Sequence, residues 1–324
     1  MQKALKTYHK ERKIIVQNNV AFLYPGQGSQ QVGMGLDLYQ TYPEARETFH
    51  KADQVLGFAL SRLCFEGSEE ELNHDLNAQL AVYTVSCIVT QVLRVHDIVP
   101  GKVSGYSSGF YAAAYAAGCF DFVDGLLLVK RAGEILLDEG RKIDGGMAVI
   151  FGLSPEKVDS LCQQVGNVHV AIHNTPQQII VSGIRSSVKR VMELSCNTGA
   201  LDAYNISTAT AYHSTFMQNS SARLLSEVKG DNLKDPQIPL FSYVLLESVP
   251  NKEELKKIMA AHLSGPVLWV DLIKKLHHNT TLFIEVGPGA VISRTVRWVD
   301  RNIEIVNTDN QRRLLQSIER YKKL

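Results

Sequence analysis

A serine framed by glycines, Gly105-Tyr106-Ser107-Ser108-Gly109, is the first place in this chain where chemistry can be located. The G-x-S-x-G spacing suits a tight strand-to-helix turn. Small residues on either side let the backbone double back, and the serine oxygen is left standing at a helix N-terminus. A serine hydroxyl is a poor nucleophile at neutral pH and needs a base beside it. The chain has ten histidines. His213 lies in Ser207-Thr-Ala-Thr-Ala-Tyr-His213-Ser-Thr-Phe-Met217, a small and polar segment suited to a loop over a site. Ser107 as nucleophile and His213 as general base is therefore the pairing to test.

The elements that must position them are legible in outline. Val20-Ala-Phe-Leu-Tyr24 is an apolar run that stops at Pro25-Gly-Gln-Gly-Ser-Gln30, which predicts a buried strand ending in a glycine loop. Apolar residues recur at helical spacing from Gln79 to His96, Pro100-Gly101 breaks the chain, and Val103 to Gly105 reads as a short strand. The alanine-rich Phe110–Gly118 favours a helix after the elbow. Asp121 is placed to cap the next one, which runs to about Glu139. The texture then changes. A strand at 148–152, a helix in SPEKVDSLCQQV, strands at 169–172 and 178–182 and a helix at 186–198 give β-α-β-β-α in about 60 residues. That order predicts a small ferredoxin-like subdomain inserted at 145–207. The large domain, 19–144 and 208–324, is expected to be an α/β-hydrolase-like parallel-sheet unit, with Phe283-Ile-Glu-Val286 as a late strand. The first 18 residues read as a basic leader without the apolar run of a secretory signal.

Composition excludes several classes. Thirty-four basic against 33 acidic residues leave a net charge of +1, which gives no argument for a nucleic-acid partner. No run of about 18 apolar residues predicts a membrane span. The five cysteines are far apart and odd in number, which suggests neither a disulfide framework nor a metal site, and a reducing cytoplasm is expected.

Six separated segments, in order, resemble the malonyl-CoA:acyl-carrier-protein transacylase and polyketide acyltransferase family. They are YPGQGSQQVGMG at 24–35, Gln79 at 28 residues before Ser107, GYSSG at 105–109, TAYHSTFM at 210–217, HLSGPVLW at 262–269 and EVGPG at 285–289. The resemblance covers about residues 19–310 and implies roles. Ser107 and His213 would be catalytic, and the backbone N–H groups of Gln27 and Ser108 would form an oxyanion hole. Gln79, Tyr106, Ala132 and Tyr212 would border the substrate pocket, and a backbone carbonyl at His262 would orient His213. The implied partner is an acyl carrier protein with a phosphopantetheine-bound acyl group. No cofactor or metal is implied, and a monomer is expected.

The chain also departs from that pattern. Malonyl-transferring members hold the substrate carboxylate with an arginine 15 residues before the methionine of a G-x-M-A-x-I segment. Here the segment is Gly145-Gly-Met147-Ala-Val-Ile150, and 147 minus 15 gives Ala132. Arg131 stands next door, but one helical step turns a side chain by about 100°. Tyr106 and Phe110 make the elbow more aromatic, a packing or a substrate-facing role. The closest resemblance is to the stand-alone acyl hydrolases of trans-acyltransferase polyketide pathways, such as that of bacillaene. Release of neutral acyl groups from carrier proteins to water is the leading expectation. Acyl transfer between coenzyme A and a carrier protein is the alternative, and a non-catalytic carrier-docking module is a third. Lys189, Arg190, Arg294 and Arg297 are candidate contacts for an acidic carrier.

Overall fold

The computed structural model describes residues 17–228 and 230–324, so the predicted leader at 1–18 lies almost wholly outside the described residues. The strands, in chain order, are β1 (Gln17–Tyr24), β2 (Pro100–Gly105), β3 (Gly145–Phe151), β4 (Val168–Thr175), β5 (Gln178–Ile184), β6 (Asp202–Ile206), β7 (Leu240–Phe241), β8 (Leu282–Glu285) and β9 (Ile305–Asn307). They form two sheets. One is five-stranded and parallel, in the order β7-β2-β1-β8-β9. The other is four-stranded and antiparallel, in the order β4-β5-β3-β6. The expected α/β class, a parallel sheet with a small second sheet, is the architecture found.

Parallel strands are covered on both faces, which is why β1 is a continuous apolar run from Val20 to Tyr24, all fully buried. The Asp75–Val95 helix is buried without a break from Ala78 to Thr90. By length and composition it is apolar enough to cross a membrane, yet 83% of its apolar window lies inside the fold. It is therefore a core helix. In the small sheet the β-α-β-β-α series is completed by β6, which pairs with β3 from Met147–Ile206 to Phe151–Asp202. The helices Pro155–Val165 and Arg185–Asn197 cover one face and close a separate core around Ile150, Val158, Ile179, Val181 and Val188. That connectivity and strand order are ferredoxin-like.

The topology decides where a site can form. In open parallel sheets ligands bind beyond the carboxyl ends of the strands, where chain direction across the sheet reverses. Here the chain moves from β1 outward to β2, and later returns to the other side of β1 as β8. The loop after β1 carries Gln27, the turn after β2 carries Ser107, and the loop after β8 carries Gly287-Pro-Gly289. Glu285, fully buried at the end of β8, accepts from the N–H groups of Ile292 (2.9 Å) and Ser293 (2.8 Å) and fastens the Val291–Val299 helix beneath that edge.

The two sheets also touch through their backbones. The N–H of Val267 donates to the carbonyl of Ala171 (2.8 Å), and the N–H of His173 donates to the carbonyl of Val267 (3.0 Å), a parallel bridge between β4 and the 263–268 segment.

Candidate active site

Ser107 has φ of +52°, a left-handed conformation that non-glycine residues rarely adopt. The flanking glycines explain how this is held. A Cβ on Gly105 would lie 2.2 Å from the carbonyl carbon of Gly109, and one on Gly109 would lie 2.2 Å from the carbonyl oxygen of Tyr24. Only residues without a side chain let strand and helix approach this closely. The turn opens into the Gly109–Ala116 helix, whose alanines let it lie against the sheet.

Ser107 Oγ is 2.8 Å from His213 Nε2. His213 itself has φ of +55° and is 8% exposed. Its Nδ1 lies 3.1 Å from the carbonyl oxygen of Gly265. Nδ1–H donating to that carbonyl leaves Nε2 with its lone pair toward the serine, the tautomer a general base needs. Burial pulls the imidazole down from its ordinary 6.5 to about 4, opposed by the carbonyls of Gly265 and then His262. The orienting carbonyl expected at His262 is thus supplied mainly by Gly265, three residues further on. The His262 ring is used differently: it stacks on Tyr243 with centroids 3.8 Å apart and meets Phe110 edge-on at 4.2 Å.

A shift of this size and sign has a measurable consequence. His213 should be uncharged throughout the neutral range. kcat/KM is expected to stay level on the acid side until pH approaches about 4, and then to fall as the imidazole takes up a proton. An acid limb centred near 6.5 would contradict it. The stability effect has the same direction. Between pH 6.5 and 4 the unfolded chain binds a proton that the folded chain refuses, so stability declines as pH falls through that window. At about 1.4 kcal/mol per unit, His213 accounts for a loss of roughly 3 kcal/mol.

Around this pair is a cavity of ≈ 440 Å³. Gln27, Gln79, Tyr106, Ser108, Ala132, Tyr212 and His262 all border it. Its walls are largely apolar, with Leu136, Met147, Ile172 and Ile180 among them. No arginine or lysine among the described residues lines it. Arg131 is turned away: its Nη2 donates to Glu227 (2.8 Å) and its Nη1 to Glu134 (3.3 Å), and the side chain is 39% exposed. The residue next to Ala132 in sequence therefore does not reach the cavity. Tyr106 does both things weighed for it, bordering the cavity while packing edge-on against Trp269 at 5.1 Å. Its hydroxyl donates to Asn174 Oδ1 (3.0 Å), which brings the small sheet to the cavity wall. Phe110 is buried in the core and does not line the cavity.

Within the lining, the Gln27 N–H donates to Ser108 Oγ (3.2 Å). Behind it the Gln79 amide donates to Gln27 Oε1 (3.1 Å) and Gln27 Nε2 donates to Asp75 Oδ1 (2.5 Å). Sequence reasoning missed Asn174, Gly265 and Asp75. A backbone carbonyl has no sequence signature, and Asp75 stands in an acidic stretch that marks nothing but a helix start.

The acyl transferase domain family matches residues 21–309. The malonyl CoA-acyl carrier protein transacylase of Bacillus subtilis (strain 168) is 35% identical over 89% of this chain and 93% of its own length. The polyketide biosynthesis protein PksE of the same strain is 32% identical over 88% of this chain, which spans 37% of that longer protein. A malonyl-transacylase solved in complex with a type II polyketide acyl-carrier protein superposes with a TM-score of 0.89 at 27% identity, covering 93% of this chain and 99% of the other. Family model, relatives and solved structure agree, and this chain belongs to the acyl transferase domain family, as an enzyme of the acyltransferase fold.

Proposed function

We propose that this enzyme is a serine acyl hydrolase that releases neutral acyl groups, acetyl and longer, from acyl carrier proteins of a polyketide synthase. The observation that carries the reading is the acyl cavity, which is apolar and has no cation in its described lining. A malonyl carboxylate taken out of water there would lack a cationic partner, at a cost of several kcal/mol. A neutral acyl chain meets no such penalty.

The chemistry follows from the geometry. Ser107 Oγ attacks the thioester carbon as its proton passes to His213 Nε2. The oxyanion faces the N–H groups of Gln27 and Ser108, the first of which must exchange its bond to Ser108 Oγ for one to the oxyanion. The C–S bond breaks, and His213 returns the proton to the pantetheine sulfur. Water then attacks the acyl-Ser107 ester, giving a proton to Nε2, and collapse restores the Ser107 hydroxyl and frees the acid. A thiol in place of that water turns the same acyl-enzyme into a transferase, the second reading, which the names of the relatives favour.

Acetyl- and malonyl-loaded carrier protein, each incubated with the enzyme and followed by mass spectrometry, distinguish the two. Loss of acetyl with appearance of free acetate is expected. Malonyl transfer to a second carrier without free acid would overturn the proposal. Of the candidate carrier contacts, Lys189, Arg190, Arg294 and Arg297 are exposed, and Arg190 is paired with Glu193. The Val291–Val299 helix that carries Arg294 and Arg297 begins at a residue on the cavity wall. The rate at low carrier concentration should fall as salt rises.

A further inference from the structure

Three donors from two separate stretches of chain converge on one carboxylate outside the Ser107–His213 pair. Asp75 Oδ1 accepts from Gln27 Nε2 (2.5 Å), and Oδ2 accepts from the hydroxyls of Tyr212 (2.8 Å) and Thr208 (3.2 Å). Gln27 belongs to the loop after β1, whose backbone N–H faces the serine elbow. Thr208 and Tyr212 belong to the segment after β6, and Tyr212 is bonded directly to His213. Asp75 is half-buried in the first turn of the Asp75–Val95 helix, where the backbone N–H groups and the helix dipole favour a negative charge.

We propose that Asp75 is a positioning residue that holds the base loop and the oxyanion loop in one register. An ionised carboxylate only accepts, with about four lone-pair sites, so it can receive all three donors at once; an amide would turn an N–H toward at least one of them. The need for such a tie is visible in the backbone. His213 sits at φ +55°, a strained conformation that persists only where its surroundings hold it. It is fixed on its far side by Gly265 and through its neighbour Tyr212 by Asp75. On the other arm, the Gln27 side chain is held between Asp75 and Gln79, which fixes the peptide that presents the Gln27 N–H. One group therefore sets the distance between the atom that takes the proton and the donor that meets the developing charge. Misplacement on the order of 1 Å costs about 10²-fold in rate.

This inference rests on the acyl-Ser107 reading, so the experiment begins there. Acylation of the wild-type protein by acyl-carrier substrate is followed by mass spectrometry, with Ser107→Ala as the blank. Failure of the wild type to acylate defeats the acyl-Ser107 reading itself. With acylation established, Asp75→Asn should lower kcat by 10-fold or more and leave KM within about threefold, because ground-state binding is untouched. The double variant Asp75→Asn/Tyr212→Phe should fall by clearly less than the product of the single effects, since both cut the same tie. A kcat within twofold of wild type, a loss expressed wholly in KM, or multiplying effects would each overturn the proposal. Should Asp75→Asn not fold, Thr208→Val/Tyr212→Phe removes the base-loop arm alone. The same kcat loss is then expected, and unchanged kcat refutes the assignment.

Discussion

Ser107→Ala is expected to abolish the acyl adduct and turnover together, and His213→Ala to reduce turnover by about 10²–10⁴-fold. The two effects differ because the residues fail differently. Without the hydroxyl the oxygen paired with His213 Nε2 is gone, and the Ser108 hydroxyl is already engaged as acceptor of the Gln27 N–H. Without the imidazole the hydroxyl remains, but its proton has no acceptor at 2.8 Å. Both substitutions delete atoms at the cavity, and the elbow glycines that set the backbone are unchanged. Stability should therefore stay near wild type, which circular dichroism and thermal melting would verify. Normal acyl release by Ser107→Ala would refute the serine mechanism outright. Normal release by His213→Ala would mean that another group takes the proton.

The second large effect concerns specificity. Ala132 is 2% exposed on the Phe122–Gly140 helix and borders the cavity one turn before Leu136. Ala132→Arg should move preference from acetyl- toward malonyl-carrier substrate. A guanidinium there offers paired N–H donors in the plane of a carboxylate. A hydrogen bond to a charged group is worth about 1.5–3 kcal/mol, or roughly 10–10²-fold in relative kcat/KM. The new side chain also occupies part of a ≈ 440 Å³ cavity, so longer neutral acyl groups should slow most. Tyr106, on the cavity wall, limits the gain, whereas Phe110 lies outside the cavity lining. The decisive comparison is kcat/KM for acetyl and malonyl substrates in both proteins. A wild-type preference for malonyl sinks the idea, because Arg131, bound to Glu227 and Glu134, offers no substitute cation.

How much could be read before the structure depended on whether function left a mark on side-chain types. The elbow was legible because its geometry excludes every residue but glycine at 105 and 109, and His213 because a loop of small residues surrounds it. The small sheet was legible through its alternating strands, except for β6. That edge strand, Asp202-Ala-Tyr-Asn-Ile206, is exposed at Asp202, Tyr204 and Asn205 and carries no apolar pattern. The register that puts Ala132 rather than Arg131 at the cavity was a count along the chain, from Met147 in β3 back through the turn into the Phe122–Gly140 helix. The orienting carbonyl was not legible to the residue. His262 and Gly265 lie within one turn of chain, and only the backbone path settles which oxygen meets Nδ1 more closely. Three of the helices between Leu36 and Asn73 have only 6, 7 and 5 residues and bury one or two side chains each, so their periodicity is weak.

The Val267 bridge gives the imidazole a second master. Gly265, whose carbonyl holds Nδ1, lies two residues from the peptide that pairs with Ala171 and His173 of the small sheet. The small sheet also supplies Asn174 to the Tyr106 hydroxyl. A carrier that pressed on or tilted this sheet would move the His213 acceptor along with the cavity wall, and docking would then be coupled mechanically to the basicity of the site. The amide protons of Val267 and His173 are natural reporters. Their exchange with deuterated solvent should slow when an acylated carrier is bound and quicken when the bridge is cut, keeping time with turnover.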